Sequence, residues 1–593
     1  MTESKLDPLT ILKEDLQDED HSIQIEGAKR LVVIAKAIGP QRTRKDLVEF
    51  LDGYLKQEND EALVAIGKQM VEVSKYVGGN EYVGCLVPLM EKLIFQEETV
   101  VCDAAAESMA DVISEMGSGD VEKVVIPSLE KMATAEWFQP RVGVCKLLPK
   151  AYPKAGESSQ EKIVKWFSSL CKDENPMVKK AALLNMGGLS NVMGKNKIRD
   201  TMIAKLKEVC AEDSDLMRLH AVEICKELTK TFDDTKEFVA TLWPVVQKLG
   251  EDSSWRVRKA LANTMPDFAK TVGSAMAAKD LLPIYLALLK DKEAETKIAA
   301  CTKLLEMCTE CKKPSVAQVA PILRELIEDA NQTVRATVSS SLGELAAMSD
   351  NKTTEGQIFD VMKVAVKDED PQVRCNTLEA IEKVAKSLKS AASTLLGVLQ
   401  PSSSDPKWRV RREYLRASTA FATAGAGSTA ENEGYEEKLA SNLVECLSDH
   451  ISAIREEACV QLAVLVKIKG GEWGVAKLLP EALKSVSQSE MADQSNYITR
   501  MTGLILVQNI SQHLTTEQIE THVAGFVEQC LKDAVENVRF KAARTASTII
   551  PLVSKKCVRE RLVPSLEAVQ KGEQDSDILF YAEQALHIAT KYS

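Results

Sequence analysis

The sequence predicts an all-α protein built from repeated pairs of helices, and three observations support this prediction. First, the chain has 593 residues, more than one compact core usually supports, which favours several domains or one long repeat array. Second, aromatic residues make up only 5% of the chain, whereas Ala, Leu, Val, Glu and Lys occur throughout it, as is typical of stacked helices. Third, one short motif recurs at a nearly constant interval, which indicates an array of repeats.

The recurring motif is a mostly apolar anchor residue followed by a basic residue. Its eleven successive copies are Pro140-Arg141, Val178-Lys179, Met217-Arg218, Val257-Arg258, Thr296-Lys297, Val334-Arg335, Val373-Arg374, Val410-Arg411, Ile454-Arg455, Thr499-Arg500 and Val538-Arg539. Most intervals are about 39 residues, the length of a HEAT repeat. Weaker copies at Ile23, Ala62, Val101 and Ile578 lack the basic residue, as suits terminal capping units, and bring the number to fifteen. We therefore expect one curved, superhelical solenoid of about fifteen HEAT repeats over residues 1–593.

Each repeat is expected to contain a first helix, a tight turn and a second helix. Residues four and eight positions after the anchor are usually apolar, as in Val178, Ala182 and Met186, which places all three on one helical face. An Asp recurs five positions before the anchor, where a turn or N-cap side chain is needed. A Pro recurs thirteen positions before the anchor, for example at Pro127 and Pro283, and should bend the first helix.

The repeated basic residue and the repeated Asp allow two interpretations. They could form a binding stripe for a partner, or they could pair with each other between neighbouring repeats. Periodic opposite charges on stacked helices more often pair, so we favour an ion-pair ladder that fixes the register of the repeats. Exposed pairs of this kind contribute only about 0–1 kcal/mol each.

Composition argues against several classes of function. The net charge of −12 and the pI near 5.4 argue against nucleic-acid binding, which depends on Lys and Arg. The chain shows neither a signal peptide nor a long uncharged apolar stretch, so we expect a soluble protein of the cytoplasm, with the nucleus as a second compartment. The 14 Cys residues are mostly isolated, as suits a reducing compartment. The one CxxC pair, Cys308 and Cys311, is interpreted as a coincidence of helical sequence rather than a metal or redox site.

The sequence contains no recognisable catalytic motif. It has no Walker-type loop, no GxGxxG, no GxSxG and no HExxH, and its six His residues show no metal-ligand spacing. We therefore expect a protein that is not an enzyme and that needs no cofactor and no metal.

Three of the six Trp residues lie in the turn before a second helix, at Trp137, Trp255 and Trp408. Trp is enriched where protein partners bind. Packing between repeats explains each ring equally well. Because the turns of a solenoid follow one edge, however, a row of Trp and Arg there would also form a docking ridge.

The turn sequences resemble those of the protein phosphatase 2A scaffold family. The resemblance covers nearly the whole chain, and the segments that carry it include Gly39-Pro40-Gln41-Arg42-Thr43-Arg44, Val77-Gly78-Gly79-Asn80, Glu136-Trp137-Phe138, Ser254-Trp255-Arg256-Val257-Arg258, Lys407-Trp408-Arg409-Val410-Arg411 and Asn537-Val538-Arg539-Phe540. It implies a non-catalytic scaffold that assembles a serine/threonine phosphatase 2A holoenzyme. Repeats 11–15, residues 401–593, would hold the catalytic subunit, and repeats 1–10, residues 7–400, would hold an exchangeable regulatory B-type subunit. Neither nucleic-acid binding nor membrane insertion is implied.

Carried over residue by residue, the resemblance implies two binding sites, in which aromatic residues anchor the partner and charged residues set partner choice. The implied catalytic-subunit site consists of Lys407, Trp408, Arg409, Tyr497, Asn537 and Phe540. The implied regulatory-subunit site consists of Glu97, Glu98, Trp137, Pro176, Lys180, Ser254, Trp255 and Arg256.

This chain departs from the family pattern at three places. Lys179-Lys180 replaces an Arg-Arg pair, and Lys cannot make a bidentate guanidinium contact. Ser452 replaces an aromatic residue. Insertions through residues 424–434 and 486–494 lengthen two anchor intervals to 44 and 45 residues, on the side implied to hold the catalytic subunit.

Two other classes of function remain as alternatives. A HEAT-repeat transport receptor of the importin-β kind would bind cargo and a small GTPase, but such receptors are usually longer and commonly carry an acidic loop that this sequence lacks. An enzyme is the third hypothesis, and turnover by the isolated chain would be needed to support it.

Overall fold

The computed structural model describes residues 7–56, 59–193, 203–204, 206–211, 213–229, 240–312, 314–349, 352–387, 398–424, 430–483 and 497–592. All regular secondary structure in these ranges is helical. The chain forms two compact units, Met1–Ala300 (unit 1) and Cys301–Ser593 (unit 2). We number the repeats in chain order and describe each unit by itself.

Unit 1 contains repeats 1–7 and the beginning of repeat 8. The first helices of repeats 1–5, 7 and 8 are Pro8–Gln17; Pro40–Arg42, Thr43–Leu47 and Val48–Tyr54; Asn80–Leu86 and Val87–Ile94; Ser118–Asp120, Val121–Val125 and Ile126–Ala133; Glu157–Leu170; Trp243–Gly250; and Ser274–Met276, Ala277–Leu281 and Leu282–Leu289. The second helices of repeats 1–7 are His21–Lys29 with Leu31–Ile38, Asp60–Ser74, Thr99–Glu115, Phe138–Ala151, Pro176–Val192, Asp215–Thr229 and Trp255–Val272. The second helix of repeat 8, Ala294–Thr302 with Leu304–Cys311, contains the boundary between the units.

Unit 2 contains repeats 9–15. Their first helices are Pro314–Ile327; Lys352–Ala365; Gln400–Ser404; Ala430–Cys446; Gly471–Trp473, Gly474–Leu478 and Leu479–Leu483; Thr516–His522 and Ala524–Cys530; and Lys555–Cys557, Val558–Leu562 and Val563–Gly572. Their second helices are Gln332–Met348, Pro371–Ser387, Trp408–Thr423, Ser452–Lys469, Tyr497–Ile510, Glu536–Ile549 and Ser576–Tyr592. The fifteen second helices confirm the predicted all-α fold and the predicted number of repeats.

The core of each unit lies between neighbouring second helices and the first helices that pack against them. Most anchor residues and the residues four and eight positions later point into this core, whereas the anchor Ile23 of repeat 1 is exposed. Val178, Ala182 and Met186, for example, are fully buried. A lone helix pair would leave this apolar face exposed to water, so each repeat depends on its neighbours for stability.

Several first helices are interrupted by a single π turn. The described residues contain such turns at Val121–Val125, Ala277–Leu281, Gly474–Leu478 and Val558–Leu562, each followed two residues later by Pro, and a fifth at Thr43–Leu47 without Pro. Pro has no N–H and its ring crowds the carbonyl of the preceding helical turn, which a wider π turn relieves. The predicted bend of the first helix stays a prediction: in those four repeats the Pro follows a π turn, whereas Pro321 lies inside the continuous helix Pro314–Ile327.

Replacing Gly343 with alanine is expected to destabilise unit 2 by roughly 1–3 kcal/mol, as overpacking does. A Cβ at this position would lie 2.6 Å from the carbonyl oxygen of Ala380, on the second helix of the next repeat, and only backbone movement could relieve the clash. The matched control is Gly356→Ala in the helix Lys352–Ala365, where no atom lies within 4 Å and the change should stabilise by about 0.5–1 kcal/mol. Urea unfolding followed by circular dichroism measures both, and equal stability of the two variants would contradict the prediction.

Candidate functional site

The turn before each second helix has a recurring local structure. The Asp side chain accepts a hydrogen bond from the backbone N–H two residues later, at 2.9 Å in Asp173, 2.8 Å in Asp252, 2.8 Å in Asp405 and 2.8 Å in Asp449. The helix begins at the third residue after the Asp, for instance at Trp255 after Asp252. The predicted role of the Asp in the turn is therefore confirmed, but the N-cap is the residue two positions after it, such as Ser254.

In eight repeats the Arg pairs with the carboxylate in the turn of the next repeat, whereas Arg455 donates to Thr502 Oγ1 at 3.2 Å. The N···O distances are 2.6–3.0 Å in Arg141–Asp173, Arg218–Asp252 and Arg258–Asp291 of unit 1, and in Arg335–Asp368, Arg374–Asp405, Arg411–Asp449, Arg500–Asp533 and Arg539–Glu573 of unit 2. Most of these Arg side chains also donate to a backbone carbonyl of their own turn, as Arg258 Nη1 does to the oxygen of Asp252 at 2.6 Å. This Arg–Asp ladder confirms the favoured interpretation of the two repeated charges.

The ladder pairs are shielded from solvent, unlike the exposed pairs assumed from sequence. In Arg258–Asp291 the side chains are 8% and 6% exposed. Burial alone would raise the pKa of Asp291, but the hydrogen bonds from Arg258 and from the Glu293 amide outweigh it and leave that pKa lowered. Removing one partner of such a pair therefore costs more than the loss of an exposed ion pair, because the remaining charge is left without compensation.

Repeats 1 and 2 are joined by an uncharged version of the same contact. Gln24 occupies the position of the ladder Arg, and its Nε2 donates to the carbonyl of Asp18 at 2.7 Å. Its Oε1 accepts from Asn59 Nδ2 at 2.6 Å, and both side chains are buried. Sequence reasoning interpreted Gln24 only as a lost basic residue, although an amide can both donate and accept here.

The ladder predicts a pH-dependent contact between repeats 14 and 15. The hydrogen bond from Arg539 lowers the pKa of Glu573 from 4.5 to about 2. A carboxyl group whose pKa is lowered on folding contributes stability above its unfolded pKa and loses that contribution as the pH falls. We therefore expect amide exchange in the helix Ser576–Tyr592 to accelerate between about pH 4.5 and pH 2 relative to a Glu573→Gln control. Identical pH profiles for the two proteins would contradict the prediction.

The eight implied regulatory-subunit residues all lie in unit 1, in turns or in the first turns of second helices. Glu97, Glu98, Pro176 and Lys180 are exposed, and Trp137 is 51% exposed with its ring centroid 4.8 Å from that of Phe138. The ring of Trp255 lies 5.0 Å from the guanidinium carbon of Arg256. Ser254 Oγ donates to Asp215 at 3.0 Å and Arg256 approaches the same carboxylate at 3.5 Å, so the turns of repeats 6 and 7 are linked.

The six implied catalytic-subunit residues all lie in unit 2. Lys407, Arg409 and Asn537 are exposed, whereas Trp408, Tyr497 and Phe540 are half-buried. The Trp408 ring lies 5.5 Å from the guanidinium carbon of Arg409 and 5.5 Å from that of Arg412. Two cations therefore contact one ring at the start of the helix Trp408–Thr423, and one of them, Arg412, is also paired with Glu413 at 2.7 Å.

Sequence reasoning missed several side chains that complete these surfaces. Arg412 contacts Trp408 from one helical turn further along, which the i, i+4 spacing could have indicated. Phe540 packs edge-on against Tyr581 at 5.0 Å, and Arg544 lies 5.2 Å from the Tyr581 ring. Tyr581 belongs to the next repeat, so no local signal in the sequence linked it to Phe540.

Parts of the predicted insertions lie outside the described residues, namely 425–429 within the first and all of 486–494. The structure describes the helix Ala430–Cys446, which begins inside the first insertion. Ser452 is the first residue of the helix Ser452–Lys469.

Within the described residues, no group of three His, Cys, Asp or Glu side chains could hold a metal ion. Cys308 and Cys311 are buried, and burial raises their pKa values to about 11 and about 12, which disfavours the thiolate that metal binding needs. No helix in the described part of the chain is long and apolar enough to cross a membrane.

The fold and its surface define a class of protein, namely a HEAT-repeat array whose turns carry aromatic and basic side chains. A family model described as a PPP2R1A-like HEAT repeat matches residues 274–349. The chain is 30% identical over 385 residues to the beta isoform of the human 65 kDa regulatory subunit of serine/threonine-protein phosphatase 2A, covering 64% of each chain. It is 29% identical over 196 residues to the protein phosphatase 2A scaffold subunit of Dictyostelium discoideum, covering 33% of this chain and 34% of that relative. The chain is therefore similar in sequence to protein phosphatase 2A scaffold subunits, and each of these matches spans less than two thirds of the relative's length.

Solved structures support the fold alone. Kap121p bound to Nup53p aligns with a TM-score of 0.67 at 14% identity, over 98% of this chain and 64% of that one. Importin β aligns with a TM-score of 0.61 at 14% identity, over 98% of this chain and 78% of that one. These proteins share the helical repeat architecture, while the sequence similarity lies with phosphatase scaffolds.

Proposed function

We propose that this chain is a non-catalytic scaffold that assembles a serine/threonine phosphatase 2A holoenzyme. The catalytic subunit docks on repeats 11–15, residues 401–593, and an exchangeable regulatory subunit docks on repeats 1–10, residues 7–400. The scaffold raises the effective concentration of the phosphatase near its regulatory partner without entering the chemistry. It needs no cofactor, and it works in the cytoplasm and the nucleus.

The observation that carries this proposal is the pair of Trp–Arg turns around Trp255 in unit 1 and Trp408 in unit 2. Each ring lies at the start of a second helix, where it remains partly accessible beside exposed guanidinium groups. Trp and Arg are the residue types that most often dominate binding energy at protein interfaces. Two such turns in separate units support two separate partners.

The Arg–Asp ladder supports the same proposal because it fixes the turns relative to one another within each unit. A partner that contacts several turns needs their spacing to be set before it binds, since ordering them on binding would cost affinity. A ladder Arg can bond its own turn and the neighbouring turn at once, as Arg411 does through Asp405 and Asp449. The exposed side chains are therefore held at one repeat spacing, roughly 8–10 Å.

Replacing Trp255 with alanine is expected to lower the affinity for the regulatory subunit by about 30-fold or more and to leave the affinity for the catalytic subunit unchanged. The experiment reconstitutes the complex from purified catalytic and regulatory subunits and measures each affinity by biolayer interferometry. Trp166→Ala, in the first helix Glu157–Leu170 away from the turns, is the control and should keep both affinities. If the unaltered chain bound a GTP-loaded GTPase and neither phosphatase subunit, the proposed function would be wrong and a transport receptor would replace it.

A further inference from the structure

The second helix of repeat 5 exposes an apolar stripe to solvent. Met177, Ala181, Leu184, Gly188 and Val192, which we call the repeat-5 stripe, follow the 3–4 residue spacing of one helical face. Met177, Leu184 and Val192 are 49%, 52% and 38% exposed. The stripe runs along the whole helix Pro176–Val192, over roughly 22 Å at 1.5 Å per residue.

This stripe is not a general property of the repeats. Leu184 lies six positions after its anchor, and the corresponding residue is polar or charged in every other repeat from 1 to 7: Lys29, Lys68, Glu107, Lys146, Glu223 and Asn263. Leu216, just before the anchor of repeat 6 like Met177 in repeat 5, is also 48% exposed. Contiguous exposed apolar surface of this kind marks an interaction site.

The charges beside the stripe indicate the chemistry of its occupant. Lys150 and Lys180 are exposed, and in the described part of the chain neither has a carboxylate within ion-pair distance. Lys150 adjoins Pro149, which borders Gly188 of the stripe. Lys146, by contrast, is neutralised by Asp103 at 3.0 Å and Glu107 at 3.3 Å. Two uncompensated lysines, Lys150 and Lys180, therefore lie beside the stripe, and the acidic exceptions are Glu223 of repeat 6 and the exposed Glu174 in the turn before Met177.

The stripe is continuous with the proposed regulatory-subunit site. It begins at Met177, directly after Pro176 in the turn, and passes Lys180 on the same helix. We propose that the regulatory subunit lays an amphipathic α-helix with an aliphatic seam and acidic flanks along this stripe. A helix is the fitting occupant because a seam spaced by three and four residues accepts the side chains of another helix in the same pattern. This inference rests on the proposed function and extends that site from the turns onto the face of a second helix.

The test measures binding of the regulatory and catalytic subunits to four variants of the full chain. Leu184→Glu should lower the affinity for the regulatory subunit by about 10- to 100-fold, because it places a charge in the repeat-5 stripe. Lys150→Glu should lower that affinity by about 3- to 10-fold, because the new carboxylate repels the acidic flank of the regulatory subunit's helix. Asn263→Glu introduces the same charge at the corresponding position of repeat 7 and should leave the affinity within about 2-fold, and Trp255→Ala reports on the turns. All variants should bind the catalytic subunit normally, which also verifies that they fold.

A photo-crosslinking residue at position 184 provides the second measurement. We expect it to crosslink to a segment of the regulatory subunit with aliphatic residues at helical spacing and flanking Asp or Glu, whereas the same group at position 263 should not. Full affinity in Leu184→Glu together with a loss in Trp255→Ala would overturn this inference and leave the proposed function intact. Concentration-dependent dimers abolished by Leu184→Glu would assign the stripe to a second copy of the chain and would also overturn it. Failure of the unaltered chain to bind any regulatory subunit would refute both this inference and the proposed function.

Discussion

Alanine in place of Trp408 is expected to weaken binding of the phosphatase catalytic subunit by about 30- to 1,000-fold, equivalent to roughly 2–4 kcal/mol. The ring lies between the guanidinium groups of Arg409 and Arg412, and its removal eliminates both the apolar anchor and the support for these two cations. Isothermal titration calorimetry with the purified catalytic subunit measures the change.

Two controls separate the docking role of Trp408 from a structural role. Trp473→Ala removes a half-buried ring in the short helix Gly471–Trp473, away from the turns before the second helices, and should leave the affinity within about threefold. Circular dichroism should show the same helix content for both variants, because Trp408 contributes little to the buried core. An unchanged affinity in Trp408→Ala would show that the catalytic subunit docks elsewhere.

Alanine in place of Arg500 is expected to destabilise unit 2 by about 3–5 kcal/mol, the usual consequence of breaking a buried ion pair. Arg500 and Asp533 are each only 1% exposed and lie 2.6 Å apart, which makes this the most buried pair of the Arg–Asp ladder among the described residues. Without Arg500, the carboxylate of Asp533 remains in a dry interior, where it still accepts the backbone N–H of Val535 at 2.9 Å.

A second substitution tests that explanation. Asn in place of Asp533 keeps the acceptor for Val535 but removes the charge, so the double variant Arg500→Ala/Asp533→Asn should be more stable than Arg500→Ala alone. Arg324→Ala, which breaks an exposed pair with Glu328, is the matched control and should cost less than about 0.5 kcal/mol. Urea unfolding gives the free energies, and hydrogen exchange in the helices Tyr497–Ile510 and Glu536–Ile549 locates the loss. Equal stability of the Arg500 and Arg324 variants would rule out the buried-charge argument.

Much of the fold could be predicted from the sequence because a repeated motif supplies many independent copies of the same evidence. The anchors, the buried residues four and eight positions later, and the opposite charges of the ladder all follow from periodicity, as Val178, Ala182 and Met186 illustrate. Local details were less accessible. The Asp of each turn is not the N-cap, and the widened turn before Pro127 depends on backbone adjustment that composition does not indicate.

The candidate sites were less predictable than the fold because their completeness depends on contacts between repeats. The Trp residues could be found from their positions in the turns, and the spacing of Arg412 could have indicated its contact with Trp408, but the edge-on contact of Tyr581 with Phe540 requires coordinates. The repeat-5 stripe was overlooked for a different reason. Its spacing matches that of core-facing residues, so the pattern of this helix alone does not distinguish Leu184 on the surface from Leu183 in the core, and only comparison with the polar residues at the same position of other repeats does.

The Arg–Asp ladder also bears on how such a chain can change length during evolution. Every ladder Arg pairs with the carboxylate in the turn of the following repeat, so any two repeats that carry both residues can be neighbours. Duplication or loss of one whole repeat within the ladder would leave a matching Arg–carboxylate pair at the new junction. The charged junctions thus permit the gain or loss of whole repeats. At the uncharged Gln24–Asn59 junction, a repeat that carries the charged residues would not find a matching partner.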